Sequence, residues 1–84
     1  KNMKLPRNIT ADILIKKLEK YDYSVVRQSG SHIRITSTLN GIHHETIPYH
    51  KPLKVGTLNC ILKNIASHHG LTKEQLTENL ELFI

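Results

Sequence analysis

Tyr23-Ser24-Val25-Val26-Arg27-Gln28-Ser29-Gly30-Ser31-His32-Ile33-Arg34-Ile35-Thr36-Ser37 holds two runs of β-forming residues that meet across a glycine turn. Tyr23 to Gln28 and His32 to Ser37, joined through Ser29-Gly30-Ser31, predict an antiparallel hairpin. Asn40-Gly41 marks a second turn, and Ile42 to Ile47 predicts a third strand that Pro48 ends by removing a ladder donor. Upstream, Thr10 is placed to cap a helix, with Asp12 in its first turn and Ile9 able to staple against Leu14. Ala11, Leu14, Ile15, Leu18 and Tyr21 keep helical spacing, Lys16, Lys17, Glu19 and Lys20 turn mostly to water, and the helix is expected to end near Asp22. Downstream of Lys51-Pro52-Leu53, a second helix carries Leu58, Ile61, Leu62 and Ile65, with Gly70 just beyond its end. Thr72 and Gln75 make a capping-box pattern for a short third helix lined by Leu76, Leu80 and Phe83.

Eighty-four residues make one domain, here residues 1–84, with an irregular arm over 1–8 and a C-terminal helical extension over 71–84. The order α-β-β-β-α predicts an α+β fold, a three-stranded antiparallel sheet with two helices on one face and the other face open. The third helix is expected either to fold back on the domain or to make a dimer contact, which leaves a homodimer or a hetero-oligomer with a partner both in view. Twelve Lys and Arg against 7 Asp and Glu give a formal charge of +5 and a pI near 9.6, which favours a polyanion or an acidic protein as partner. No apolar run reaches membrane-spanning length and no secretory signal pattern opens the chain, so no membrane association and a cytoplasmic location are the expectation. A start at Lys1 rather than Met suggests a trimmed or processed chain.

Cys60 is single, so neither an intrachain disulfide nor a cysteine metal site can form, and it is expected to be inert. Six histidines invite metal binding, but the adjacent pairs His43-His44 and His68-His69 diverge on a strand or a helix. No metal and no cofactor are expected.

Strand alternation puts Ile33 and Ile35 on one side and His32, Arg34 and Thr36 on the other. If the isoleucines pack under the helices, His32 and Arg34 face out together. An imidazole titrates near neutral pH and can take a proton from a ribose 2′-hydroxyl, while a neighbouring guanidinium holds the phosphate whose charge grows during attack. The group that would protonate the leaving 5′-oxygen stays open among His44, His50, Arg34 and nearby lysines. His44 should share the open side with Thr46, and both His43 and His44 read most simply as solvated strand residues. Lys51 and Lys54 flank the start of the second helix, where backbone N–H groups of Gly56, Thr57 and Leu58 add to a positive landing site for phosphate. Lys16, Lys17 and Lys20 read as an ordinary charged outer face.

Three separated motifs, Arg27-Gln28-Ser29-Gly30-Ser31-His32, Ile47-Pro48-Tyr49-His50 and Leu53-Lys54-Val55-Gly56-Thr57-Leu58-Asn59-Cys60-Ile61-Leu62, appear in an order and spacing that resemble the HicA family, the toxin half of bacterial toxin–antitoxin pairs, over most of the chain. The resemblance implies a double-stranded-RNA-binding-domain-like fold and an endoribonuclease that cleaves mRNA without metal. It also implies His32 as the catalytic residue and a HicB-type antitoxin that covers the open face. Gly30 would supply backbone freedom in a tight turn near a nucleotide, and Ser31 would orient His32 or contact phosphate. Many relatives carry a second histidine where this chain has Ile33, and tend to carry glycine where it has Asp22. The alternative is an RNA-binding module without catalysis on the same basic face, in which His32 is a contact residue. A third reading is an interaction domain whose charge only attracts an acidic protein.

Overall fold

The computed structural model describes residues 5–82; residues 1–4 of the expected arm, and Phe83 of the expected third-helix stripe, lie outside the described residues. The chain runs α1 (Ala11–Leu18), β1 (Ser24–Ser29), β2 (His32–Ser37), β3 (His43–Pro48), α2 (Val55–His68) and α3 (Lys73–Asn79). The strands form one antiparallel sheet in the order β1-β2-β3. The fold is therefore α+β, with three antiparallel strands and three helices among the described residues.

Local chemistry accounts for each boundary. The Thr10 hydroxyl accepts from the Ile13 amide at 3.2 Å, and Ile9 and Leu14 on either side of this cap are both buried. A single 3₁₀ turn, Glu19–Tyr21, follows α1 and closes at Asp22, whose φ of 68° lies in the left-handed region. Glycine adopts that conformation freely, and aspartate tolerates it better than most other residues. The Asp22 carboxylate also accepts from the Thr38 hydroxyl at 3.0 Å.

β1 and β2 join through the two residues Gly30 and Ser31, with Ser29 paired to His32, so Ser29 belongs to the strand rather than to the turn. Gly30 has φ +59° while Ser31 has none of the positive φ values of the chain, the pattern of a type II′ hairpin turn. β3 keeps Pro48 as its last residue, on an edge where its missing N–H is tolerated.

Ile33, Ile35 and Ile47 point to the inner face and pack with Leu14 and Leu18 of α1 and Leu58, Leu62 and Ile65 of α2. Ser37 shares that face, and its buried hydroxyl is satisfied by donating to the Tyr21 carbonyl at 2.7 Å and accepting from the Leu39 amide at 3.0 Å. α3 folds back on the domain. Its capping box is complete, with Thr72 and Gln75 exchanging bonds of 3.0 and 2.9 Å, and Leu76, Leu80 and Leu82 are buried in the common core.

Candidate nucleic-acid interface

The site begins at the hairpin turn. A Cβ placed on Gly30 would meet nothing within 4 Å, so glycine is needed there for its backbone alone. The Ser31 carbonyl accepts from the Tyr49 amide at 2.7 Å, which ties the turn to the chain leaving β3. His32 opens β2 and is exposed, opposite Ser29 on β1 and Pro48 on β3. Because directly opposed residues share a face, and Ile33 and Ile35 are buried, His32, Arg34 and Thr36 all lie on the side away from the helices.

Arg34 is exposed and stands opposite Thr46 on β3 and Arg27 on β1. The register between β1 and β2 slips by one residue between Val25 and Arg27, a β-bulge that turns Arg27 to the open face. Strict alternation from the Val25–Ile35 pair would have set it opposite Ile33, on the helix side. Arg27 is the residue of this face that sequence reasoning missed: two adjacent valines carry no signal of a bulge.

His44 does share the open face, and its Nδ1 lies 2.7 Å from the Thr36 hydroxyl. It pairs with Thr36 while His32 pairs with Pro48, so the two imidazoles sit about 13 Å apart along the sheet, four residues at about 3.3 Å each. No carboxylate joins this face among the described residues. Glu45 turns the other way, where burial pushes its carboxyl up despite a hydrogen bond from Asn64.

At the His32 end, the chain from Tyr49 to Lys54 is pinned by the Ser31–Tyr49 bond and by the buried Leu53, whose amide donates to the Ile9 carbonyl at 2.8 Å. Lys51 is exposed, with its ammonium 5.0 Å from the Tyr49 ring centroid. Lys54 is the N-cap of α2 and, like Gly56, exposed, while Thr57 is half-buried. The first turn of α2 receives no side-chain cap. One correction applies there: the Leu58 amide is taken by the Lys54 carbonyl at 2.9 Å, which leaves Gly56 and Thr57 as the end donors of the predicted set.

His43 departs from its expected role as a solvated strand residue. It faces the helix side, about 16 Å along β3 from Pro48, in a cluster with Tyr23, His68 and His69. The His68 Nε2–H donates to the carbonyls of Leu39 at 3.1 Å and Gly41 at 3.0 Å. Asn40 donates to His69 Nδ1 at 3.1 Å, so His69 Nε2–H donates to the Tyr23 hydroxyl at 3.1 Å, which in turn donates to His43 Nδ1 at 2.6 Å. The His43 and His68 rings stack at 4.6 Å. Burial, then the His68 and His44 charges, lowers the His43 pKa; burial, then His68 and His43, lowers that of His69. Burial and the nearby Glu45 carboxylate push the Tyr23 phenol up to about 12. The cluster latches the end of α2 to the β2–β3 turn, at the far end of the sheet from His32 and on its other face.

Cys60 is exposed and free. Among the described residues, no helix is long and apolar enough to cross a membrane.

A protein-family model described as the HicA toxin of bacterial toxin–antitoxin matches residues 11–66. The match covers the hairpin turn, the open face and nearly all of α2, and stops short of α3. No curated protein and no solved structure matches the chain.

Proposed function

The chain belongs to the HicA toxin family of bacterial toxin–antitoxin systems, and from that premise we propose that it is an endoribonuclease that cleaves mRNA with His32 as its acid–base group. The observation that carries this reading is an exposed imidazole on a helix-free sheet face that presents two guanidinium groups and no carboxylate among the described residues. A polyanion meets only neutral or positive side chains there.

In the proposed reaction, neutral His32 takes the proton of a ribose 2′-hydroxyl. The 2′-oxygen attacks the adjacent phosphorus, and the bond from phosphorus to the 5′-oxygen breaks, leaving a 2′,3′-cyclic phosphate and a 5′-hydroxyl. Arg34, one pleat repeat along β2, steadies the charge that gathers on the phosphoryl oxygens. The leaving oxygen needs a proton, and the register argues against His44 as its source. His50 and Lys51, which follow Pro48 at the His32 end, are better placed. Gly30 and Ser31 hold the turn on which His32 is mounted, while Lys51, Lys54 and the first-turn amides of Gly56 and Thr57 receive flanking phosphates. No step requires a metal or cofactor.

Membership of the family gives the chain a cognate antitoxin as partner. We take that partner to be of the HicB type and to act by covering the open face, since masking His32 and its guanidinium neighbours blocks both chemistry and RNA binding. Growth tests the proposal. Induced wild-type chain should arrest a bacterial host and degrade its mRNA, whereas His32→Ala at equal expression should do neither; equal toxicity of the two would reduce the chain to a basic RNA-binding module.

A further inference from the structure

The Arg27–Arg34 pair is an arrangement that folding alone does not favour. Side chains directly opposite on antiparallel strands have their Cβ atoms about 5 Å apart, and like charges so placed repel. Neither guanidinium has a carboxylate partner among the described residues, both are exposed, and Glu45, the strand residue best placed to relieve them, faces the other side. The bulge at Val26 creates the conflict. An uninterrupted β1 would have carried Arg27 to the opposite face, out of reach of Arg34. A strand that breaks its own ladder to bring two cations together on an open surface is built around an anion.

We infer that Arg27 and Arg34 form a paired-guanidinium site that grips one phosphodiester of a nucleic-acid strand beside His32. The inference rests on the reading of this face as an RNA surface, and it adds Arg27 as a second phosphate-binding residue. Guanidinium suits the task, because its planar fork offers two parallel N–H donors to phosphoryl oxygens and is less strongly hydrated than an ammonium. Two forks converging from neighbouring strands hold the phosphate between them. Arg34 lies about 7 Å from His32, two residues along β2, so a phosphate held by the pair is one sugar away from a ribose presented to the imidazole. The site reads backbone charge rather than base identity.

A paired site predicts opposite effects on binding and on stability. The probe is a fluorescein-labelled single-stranded RNA dodecamer of mixed sequence, titrated against the full chain carrying His32→Ala so that no cleavage intervenes. Arg27→Gln should weaken binding about tenfold at low salt and flatten the slope of log affinity against log salt by about 0.7. The same substitution should raise the melting temperature of the free chain, because it removes a like-charge repulsion. On an Arg34→Gln background, Arg27→Gln should cost clearly less affinity than it does alone, since the shared phosphate has already lost one arm.

Unchanged affinity in Arg27→Gln, a lowered melting temperature, or additive losses in the double variant would each overturn the pairing. Cleavage by the wild-type chain is measured in parallel. If wild type fails to cleave yet Arg27→Gln weakens binding, the nuclease reading falls and the phosphate site stands; if wild type cleaves and Arg27→Gln binds normally, the reverse holds.

Discussion

Gly30 shows most simply how one residue's backbone sets up the site. Its φ of +59° is easy for glycine and costly for any residue with a Cβ, although no neighbouring atom occupies that space. Gly30→Ala should therefore destabilise the chain by about 1–3 kcal/mol, read as a shift of the urea midpoint with unchanged slope. A loss much larger than this would mean that the turn is packed rather than merely strained. Tyr23 makes the complementary case, a residue held by its polar atom. Its hydroxyl bridges His69 and His43 at 3.1 and 2.6 Å, and Tyr23→Phe leaves both ring nitrogens without that partner. The expected cost is about 1–3 kcal/mol in the same assay. The outward placement of His32 and Arg34 was legible in the sequence, because two buried isoleucines on alternate positions leave the intervening side chains no other face. Arg27 was not legible, since its direction depends on a one-residue slip that residue type does not encode.

Among the elements, the helices, the hairpin and the α3 capping box follow from periodicity, caps and turn residues, and the strand boundaries lie within a residue of expectation; α1 gives way to the 3₁₀ turn after Leu18, short of the expected end near Asp22, and α3 ends at Asn79, before the Leu80 of its expected stripe. The histidine latch does not follow. His43 and His68 are 25 positions apart in sequence, yet their rings stack, because β3 and the last turn of α2 are brought side by side only by the packed core. Neither element alone shows that contact. The latch has a consequence for acid stability. His43 faces Tyr23 from just before β1, His68 from α2, and Glu45 and His44 on its own strand; His69 faces Tyr21, Tyr23, Asn40 and His68, with His43 also acting on it. Both imidazoles are held below their ordinary value of 6.5, so the unfolded chain binds more protons once the pH falls below that point. Stability present at neutral pH is lost as the pH drops toward the folded values. Glu45, held above 4.5 by burial, acts in the opposite sense, because the folded carboxyl takes up its proton first and returns some stability nearer that pH. The melting temperature should fall between about pH 7.5 and about pH 5.5, and His43→Gln with His69→Gln should flatten that fall. A double variant with the wild-type slope would show that the latch is not the titrating element.

At the scale of the whole molecule, the sheet divides the labour. One face builds the core with all three helices, while the other is left bare and carries cations at its His32 end. A net charge of +5 draws polyanions generally, and on the proposed reading the cations of the open face give that attraction a site. If the antitoxin acts as proposed, by covering this same surface, inhibitor and RNA should compete. Adding the cognate antitoxin should release the labelled dodecamer from the His32→Ala chain, and a stable ternary complex would place the antitoxin elsewhere. The measurement closest to the central claim is the single-turnover cleavage rate of a defined mRNA fragment in EDTA, for the wild-type chain and for His32→Ala at matched RNA occupancy. We expect wild type to cleave to 2′,3′-cyclic phosphate ends and the variant to be slower by about two to four orders of magnitude, with its fold and RNA affinity retained. Cleavage by the variant at the wild-type rate, or abolition of wild-type cleavage by the chelator, would contradict a metal-independent reaction centred on His32.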